Sequence, residues 1–251
     1  MEKLIYAIVL TGDNPDKLNL ILLERQGITG KNLRAAPFNQ ISAVTGEINR
    51  NELPDNKKLI IEYAGVIEML SNDFTLLPMR FGSIMESDEL IQKMLERNHD
   101  DFLQNLIKVE NKYEFGLKVL CDPEKVRTEI KVKTNINQQA QANPTQETKN
   151  TVFRDYVNKK LEEHRIEEAV LHFVDSVISE IIQYINSLNP VHKFKKMVSP
   201  TLIIDAVFLL EKQNKNGLVQ AVEDFQKRYP SLNFILSGPW PPYSFTEITT
   251  K

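Results

Sequence analysis

The chain has 251 residues, of which 41% are hydrophobic and 26% charged, and its formal net charge is −3 at pH 7. This composition is typical of a globular protein with room for two modest cores, and the slightly acidic balance lacks the cationic surface that phosphate backbones need, so we expect no nucleic acid partner. The single cysteine, Cys121, excludes an internal disulfide, and no segment approaches the ~20 apolar residues that cross a bilayer, so we expect a cytoplasmic protein without a lipid membrane partner.

The N-terminal residues are predicted to form strands and helices in the order βαββαβ. An apolar run at 4–10 indicates a first strand, and Pro15 occupies the first position of a short amphipathic helix. Two extended pieces within 32–46 predict a hairpin. A second amphipathic helix from about Asp55 and a strand at 74–81 complete the unit.

A helix cap follows this unit. Ser87 is a good N-cap residue, and Asp88 and Glu89 behind it favour the positive end of a helix dipole. Apolar residues then recur at helical spacing: Ile91, Met94, Leu95, Phe102 and Leu106. We predict one long helix here, and we expect it to join two halves of the protein.

The order of elements repeats in the second half. The predicted strands lie at 113–121, 193–198, 202–210 and 232–236, and the predicted helices lie at 151–188 and around Leu218, Val222 and Phe225. The polar, Asn- and Gln-rich segment 133–150 lacks periodicity and predicts a mobile loop within the second unit.

The predicted fold class is therefore α+β, with two ferredoxin-like (βαββαβ) units joined by a long helix and followed by an extended tail. We expect the helices of each unit to cover one face of its sheet. The predicted domains are 1–110, with the linking helix, 111–237, a modified ferredoxin-like unit that contains the loop, and 238–251, the tail.

The tail concentrates prolines and aromatic residues. Pro239, Pro241 and Pro242 remove backbone donors, so this segment is predicted to be extended and to be neither helix nor interior strand. Three aromatic side chains, Trp240, Tyr243 and Phe245, are costly to leave in water. The tail either packs on its own protein as a strap held by Trp240, which we favour, or contacts a partner in polyproline geometry.

Three ordered motifs carry a family resemblance. The tail Gly238–Phe245 reads Gly-Pro-Trp-Pro-Pro-Tyr-Ser-Phe, Leu77–Gly82 reads Leu-Pro-Met-Arg-Phe-Gly, and Glu114–Val119 reads Glu-Phe-Gly-Leu-Lys-Val. Together they resemble the signatures of the gas vesicle protein F/L family (GvpF/GvpL). One position departs from the family: Tyr63 stands on the preceding helix where members often have a histidine.

The resemblance implies an accessory structural protein of gas vesicle formation. It implies binding to the small, very apolar shell protein, contacts with other gas vesicle accessory proteins, and a place at the vesicle shell on its gas-facing side. It also implies the same two-domain plan. The residues that it marks as a structural or partner-binding motif are Arg80, Phe81, Gly82, Trp240, Pro241, Pro242, Tyr243 and Phe245.

Other functions find little support in the residues. No nucleophile, dinucleotide or metalloprotease motif is present, so we expect no catalytic residues, no metal and no cofactor. The alternatives are an enzyme with a small-molecule site between the two ferredoxin-like units and, on the strength of element order alone, an RNA-binding module.

Several charged residues remain open to two interpretations. Arg80 is predicted to be held by a carboxylate or a carbonyl group, with partner contact as the alternative. Asp205, within an apolar strand, is expected to face solvent or to meet a lysine. A ladder of His164, Glu168 and His172 could bind a metal, but a solvated helix face is favoured.

Overall fold

A computed structural model describes residues 2–12, 15–49, 57–139, 151–188, 190–196, 199 and 201–246. The chain divides into two compact units. Unit 1 contains Met1–Glu114 and Gly238–Lys251, and unit 2 contains Phe115–Ser237. The tail therefore belongs to the N-terminal unit, and the boundaries at 110/111 and 237/238 stay predictions.

Unit 1 is built on an antiparallel sheet in the order β2-β3-β1-β4, with a short β5 that also pairs with β1. Its strands are β1 (Lys3–Leu10), β2 (Leu33–Phe38), β3 (Ile41–Glu47), β4 (Leu76–Pro78) and β5 (Ile84–Met85). Its helices are α1 (Asp16–Leu23), α2 (Lys57–Asp73), α3 (Asp88–Arg97) and α4 (His99–Val109).

Helices cover both faces of this sheet. Seven consecutive residues of β1, Lys3–Val9, are buried, although side chains alternate between the two faces of a strand. α2 and α4 both contact β1. The expectation that helices lie on one face is wrong for unit 1, because α3 and α4 are part of its core.

The predicted long helix is two helices. It breaks at Asn98, whose backbone is not helical (φ −111°, ψ 13°) and whose side-chain amide donates to the carbonyl oxygen of Met94 at 2.8 Å. This side chain satisfies a carbonyl group at the end of α3. α4 then packs against β1 and β4 of unit 1.

Unit 2 has a four-stranded sheet in the order β7-β8-β6-β9. The strands are β6 (Lys112–Cys121), β7 (Val191–Lys196), β8 (Leu202–Glu211) and β9 (Leu232–Trp240), and the helices are α5 (Pro123–Gln139), α6 (Thr151–Ser187) and α7 (Lys215–Arg228). The predicted loop is partly wrong, since 133–139 is the end of α5. Residues 140–150 lie outside the described residues.

Strand β9 explains how a proline-rich segment can be extended and paired. β9 continues through Gly238 and Pro239 to Trp240, and it lies at the edge of its sheet. Proline is tolerated on an edge strand because a missing donor there breaks no interior ladder. The prediction that this segment is not an interior strand is confirmed. Among the described residues, no helix has the length and hydropathy of a membrane span.

Candidate functional site

A buried tyrosine holds the Arg80–Gly82 motif in place. The hydroxyl group of Tyr63, on α2, lies within hydrogen-bond distance of three backbone carbonyl oxygens and can donate to each of them. They belong to Met79 at 2.8 Å, Ile5 at 3.0 Å and Tyr6 at 3.2 Å. Its ring stacks on Tyr6 at 4.9 Å and meets Phe81 edge-on at 5.2 Å. Tyr63 therefore fixes the backbone just before Arg80 to the central strand.

The pKa of Tyr63 lies above its ordinary value. Burial is the main cause that raises this pKa, and the neighbouring hydroxyl groups of Tyr6 and Tyr243 raise it further. Tyr243 belongs to the tail, whereas Phe81, in contact with Tyr63, belongs to the Leu77–Gly82 motif. Tyr63 thus contacts the Leu77–Gly82 motif directly and interacts electrostatically with Tyr243 of the tail.

Within the motif, Arg80 lies on the surface and Gly82 makes a turn. Gly82 has a φ of +88°, a region that favours glycine, and the amide of Ser83 donates to the carbonyl oxygen of Arg80 at 3.0 Å. The predicted clamp on Arg80 is not found in the described part of the chain: its side chain is exposed and forms neither an ion pair nor a hydrogen bond there. The alternative of partner contact therefore remains.

The third motif anchors the tail. Glu114 is buried, and its carboxylate accepts hydrogen bonds from the backbone amide and the hydroxyl group of Ser244, each at 2.7 Å. Phe245, next to Ser244, is only 2% exposed, and Pro241 and Pro242 are also buried. The sequence interpretation did not single out Glu114 as the residue that binds the tail, although it is the first residue of its motif.

The exposure of the tail aromatics corrects the predicted strap. Trp240 is 44% exposed and Tyr243 is 42% exposed, so Phe245, not Trp240, is the buried anchor. Burial, and then the charges of Glu68 and Glu114, raise the pKa of Tyr243 to about 12. The tail is thus docked on unit 1 while two large aromatic side chains stay accessible to a partner.

The remaining candidates have structural explanations. The carboxylate of Asp205 lies 3.4 Å from the ammonium nitrogen of Lys118, which confirms the prediction that Asp205 meets a lysine. Burial raises the pKa of the Cys121 thiol, which makes it a poor nucleophile. His164 and Glu168 are exposed on α6, 3.7 Å apart, and the described residues contain no group of three or more side chains placed to hold a metal ion.

The fold resembles two solved structures of gas vesicle proteins. The crystal structure of GvpF from Anabaena sp. superposes with a TM-score of 0.72, covers 99% of both chains and is 17% identical in sequence. GvpF from Microcystis aeruginosa gives a TM-score of 0.70 at 18% identity, over 98% of this chain and 99% of that one. At these identities the likeness defines a mixed α+β fold shared with GvpF.

Sequence comparison assigns the family. The family model described as "Gas vesicle synthesis protein GvpL/GvpF" matches residues 3–247, so the chain belongs to this family, which takes part in gas vesicle formation. Gas vesicle protein L of a Streptomyces species is 23% identical over 90% of this chain and 87% of its own length. Gas vesicle protein F of the same species is 24% identical over 78% and 80%, respectively.

Proposed function

We propose that this chain is a non-enzymatic accessory protein of gas vesicle formation that binds the small, apolar shell protein. It acts at the vesicle shell, on the gas-facing side, and contacts other gas vesicle accessory proteins there. Family membership supports the process, and the surface chemistry of unit 1 supports the binding role.

One observation carries the proposed binding role. Two of the family motifs, and Glu114 of the third, lie in unit 1, where buried side chains such as Tyr63, Glu114 and Phe245 fix the backbone, while Arg80, Trp240 and Tyr243 are left on the surface. Trp, Tyr and Arg dominate the energetics of protein interfaces. A rigid support under exposed residues of these types is what a binding surface needs, because little ordering entropy is then lost on association.

We also propose that each unit is ferredoxin-like. Unit 1 has the order βαββαβ before α3, and unit 2 has the same order except that two helices, α5 and α6, separate its first two strands. In both sheets the third strand lies between the first and the second, and the fourth lies beside the first. This is the arrangement of a split βαβ sandwich. The additional helices α3 and α4 and the short strand β5 would then be elaborations of the first unit.

Binding is tested by co-expression of the tagged chain with the shell protein, followed by affinity capture. Trp240→Ala and Arg80→Ala should each reduce the captured shell protein at least about tenfold, which is the effect of losing an interface hot spot. Tyr156→Ala is a matched control, because Tyr156 is an exposed aromatic residue on α6 of unit 2. Equal capture by all four proteins would contradict the proposal.

The position on the shell is tested separately with vesicles that contain an epitope-tagged chain. If the chain lies on the gas-facing side, the epitope should be inaccessible to antibody and protease on intact vesicles and become accessible after collapse under pressure. An epitope that is equally accessible before and after collapse would place the chain on the outer surface.

A further inference from the structure

The outer face of the long helix α6 carries a two-heptad pattern that its own unit does not use. Val157, Leu161, His164, Glu168 and Leu171 follow one another at alternating spacings of four, three, four and three residues. Residues at this spacing share one face of a helix and form the seam of a coiled coil. The pattern differs from the core-facing stripe of α6, whose buried members include Ile166, Val174, Val177 and Ile181.

This face is open to solvent in unit 2. Leu161 is 53% exposed and Leu171 is 58% exposed, and Val157 is also exposed. The side chains of His164 and Glu168 between them are 71% and 69% exposed. α5, the helix that packs beside α6, reaches it through an ion pair of Arg127 with Glu167 at 3.7 Å, and it leaves the heptad face uncovered within the described residues.

The charges on this face favour a second copy of α6, in antiparallel orientation, as the binding partner. If a second α6 lies antiparallel with a two-fold axis near Ile166, Leu161 of one copy lies opposite Leu171 of the other. The same alignment places His164 opposite Glu168 of the second copy, with Arg165 one position away along the helix. A parallel alignment would instead place Glu168 against Glu168, which is unfavourable. The contact between Leu161 and Leu171 and the contact between His164 and Glu168 each occur twice, as an isologous interface requires.

We propose that the Val157–Leu171 face of α6 is a self-association surface, through which two copies of this chain pair as an antiparallel coiled coil. The contact is short, so the dimer is weak, with a dissociation constant on the order of 10 μM. Leucine contacts supply the attraction, and the His164, Arg165 and Glu168 contacts fix direction and register. The inference concerns unit 2 and is independent of shell-protein binding by unit 1.

Sedimentation velocity of the purified full chain over a wide range of concentrations tests the proposal. The wild-type protein should pass from monomer to dimer as concentration rises, and Leu161→Asp or Leu171→Asp should raise the dissociation constant at least about tenfold. Leu23→Asp is the matched control, because Leu23 is an exposed leucine on α1 of unit 1. Circular dichroism would verify that each variant keeps its helices. A monomer at every concentration, or a Leu161→Asp variant that dimerises normally, would overturn the proposal.

Charge exchange tests the antiparallel register. The protein with Glu168→Lys alone should be monomeric, because two positively charged groups would then face each other. The double variant His164→Glu/Arg165→Glu should also be monomeric, because its new glutamates would face Glu168. The two variants mixed should form a heterodimer. When all three substitutions are made in one chain, dimerisation should return to within a few-fold of wild type only if the helices are antiparallel. A triple variant that stays monomeric would rule out the proposed register.

Discussion

Glu114 and Ser244 are separated by 130 positions in the sequence, and yet they share two hydrogen bonds of 2.7 Å. The buried carboxylate of Glu114 accepts both from one residue, the backbone amide and the side-chain hydroxyl of Ser244. This contact joins two family motifs and closes the tail onto unit 1. It predicts that the order of the tail depends on a residue far from it in sequence.

Glu114→Ala is expected to lower the free energy of unfolding by about 2–4 kcal/mol, because it removes two charge-assisted hydrogen bonds that a buried carboxylate accepts from Ser244. Ser244→Ala keeps the amide bond and should cost only about 1 kcal/mol. Urea denaturation of both variants measures the difference. Equal losses of unfolding free energy in the two variants would show that the hydrogen bond from the Ser244 amide contributes little to stability. Limited proteolysis should also cut the Glu114→Ala tail sooner than the wild-type tail.

Phe245→Ala should destabilise the protein far more than Trp240→Ala. Phe245 is almost fully buried, and such a truncation costs about 3–5 kcal/mol, whereas the half-exposed Trp240 should cost less than about 1.5 kcal/mol. Thermal melting of the two variants tests this order. In the shell-protein capture experiment Trp240→Ala should reduce the amount of captured shell protein, although it causes no large loss of stability. A Trp240→Ala variant that melts as early as Phe245→Ala would restore Trp240 as the structural anchor.

Two glycine substitutions that should change the stability in opposite directions test the packing of unit 1. A Cβ atom at Gly27 would lie 2.5 Å from the Tyr6 hydroxyl oxygen, which accepts a hydrogen bond from the amide of Ile28 at 2.9 Å. Gly27→Ala should therefore destabilise the fold by about 1–3 kcal/mol. At Gly65, inside α2, such a Cβ would meet no atom within 4 Å in the described part of the chain, apart from the backbone of its own helix and its chain neighbours. Gly65→Ala should stabilise by about 0.5–1 kcal/mol, and a loss of stability in urea denaturation would indicate a covered surface there.

Alkaline pH should weaken unit 1 through its tyrosines. Burial raises the pKa of Tyr6, and burial with two carboxylates raises that of Tyr243, in both cases from 10.0 to about 12. Because the folded state holds these groups neutral, their contribution to stability is complete below pH 10 and is lost as the pH rises towards 12. Tyrosinate absorbance should show a late-titrating fraction that shrinks in Tyr243→Phe. If Tyr243→Phe leaves that fraction unchanged, Tyr243 titrates as an exposed residue.

Regular amphipathic elements could be predicted from the sequence, because burial follows their periodicity. The helix predicted at 151–188 is Thr151–Ser187, and the strand predicted at 202–210 is Leu202–Glu211. Helix α5 was missed, because the polar composition of 133–139 indicated a loop and no helix was predicted for 123–132. A local signal was present, since Asp122 before Pro123 caps this helix by accepting from the amides of Glu124 and Lys125 at 3.1 and 3.3 Å.

The tertiary relationships of the site could be predicted only in part. The motifs marked the right segments of the chain, but not their contacts with one another. Which tail aromatic is buried depends on how the extended segment twists as it docks, and neither spacing nor hydrophobicity separates Trp240 from Phe245. The role of Asn98 was missed for a similar reason, because the apolar stripe continues across the break between α3 and α4.

The return of the tail to unit 1 affects the order in which the protein can be completed during translation. Unit 2 consists of one continuous stretch, Phe115–Ser237, and all of it is synthesised before Gly238. The first unit lacks Phe245, and also Ser244 as the hydrogen-bond partner of Glu114, until the tail has been synthesised. A chain that stops before Ser244 would therefore contain all of unit 2 but would leave unit 1 without the contacts that close its tail.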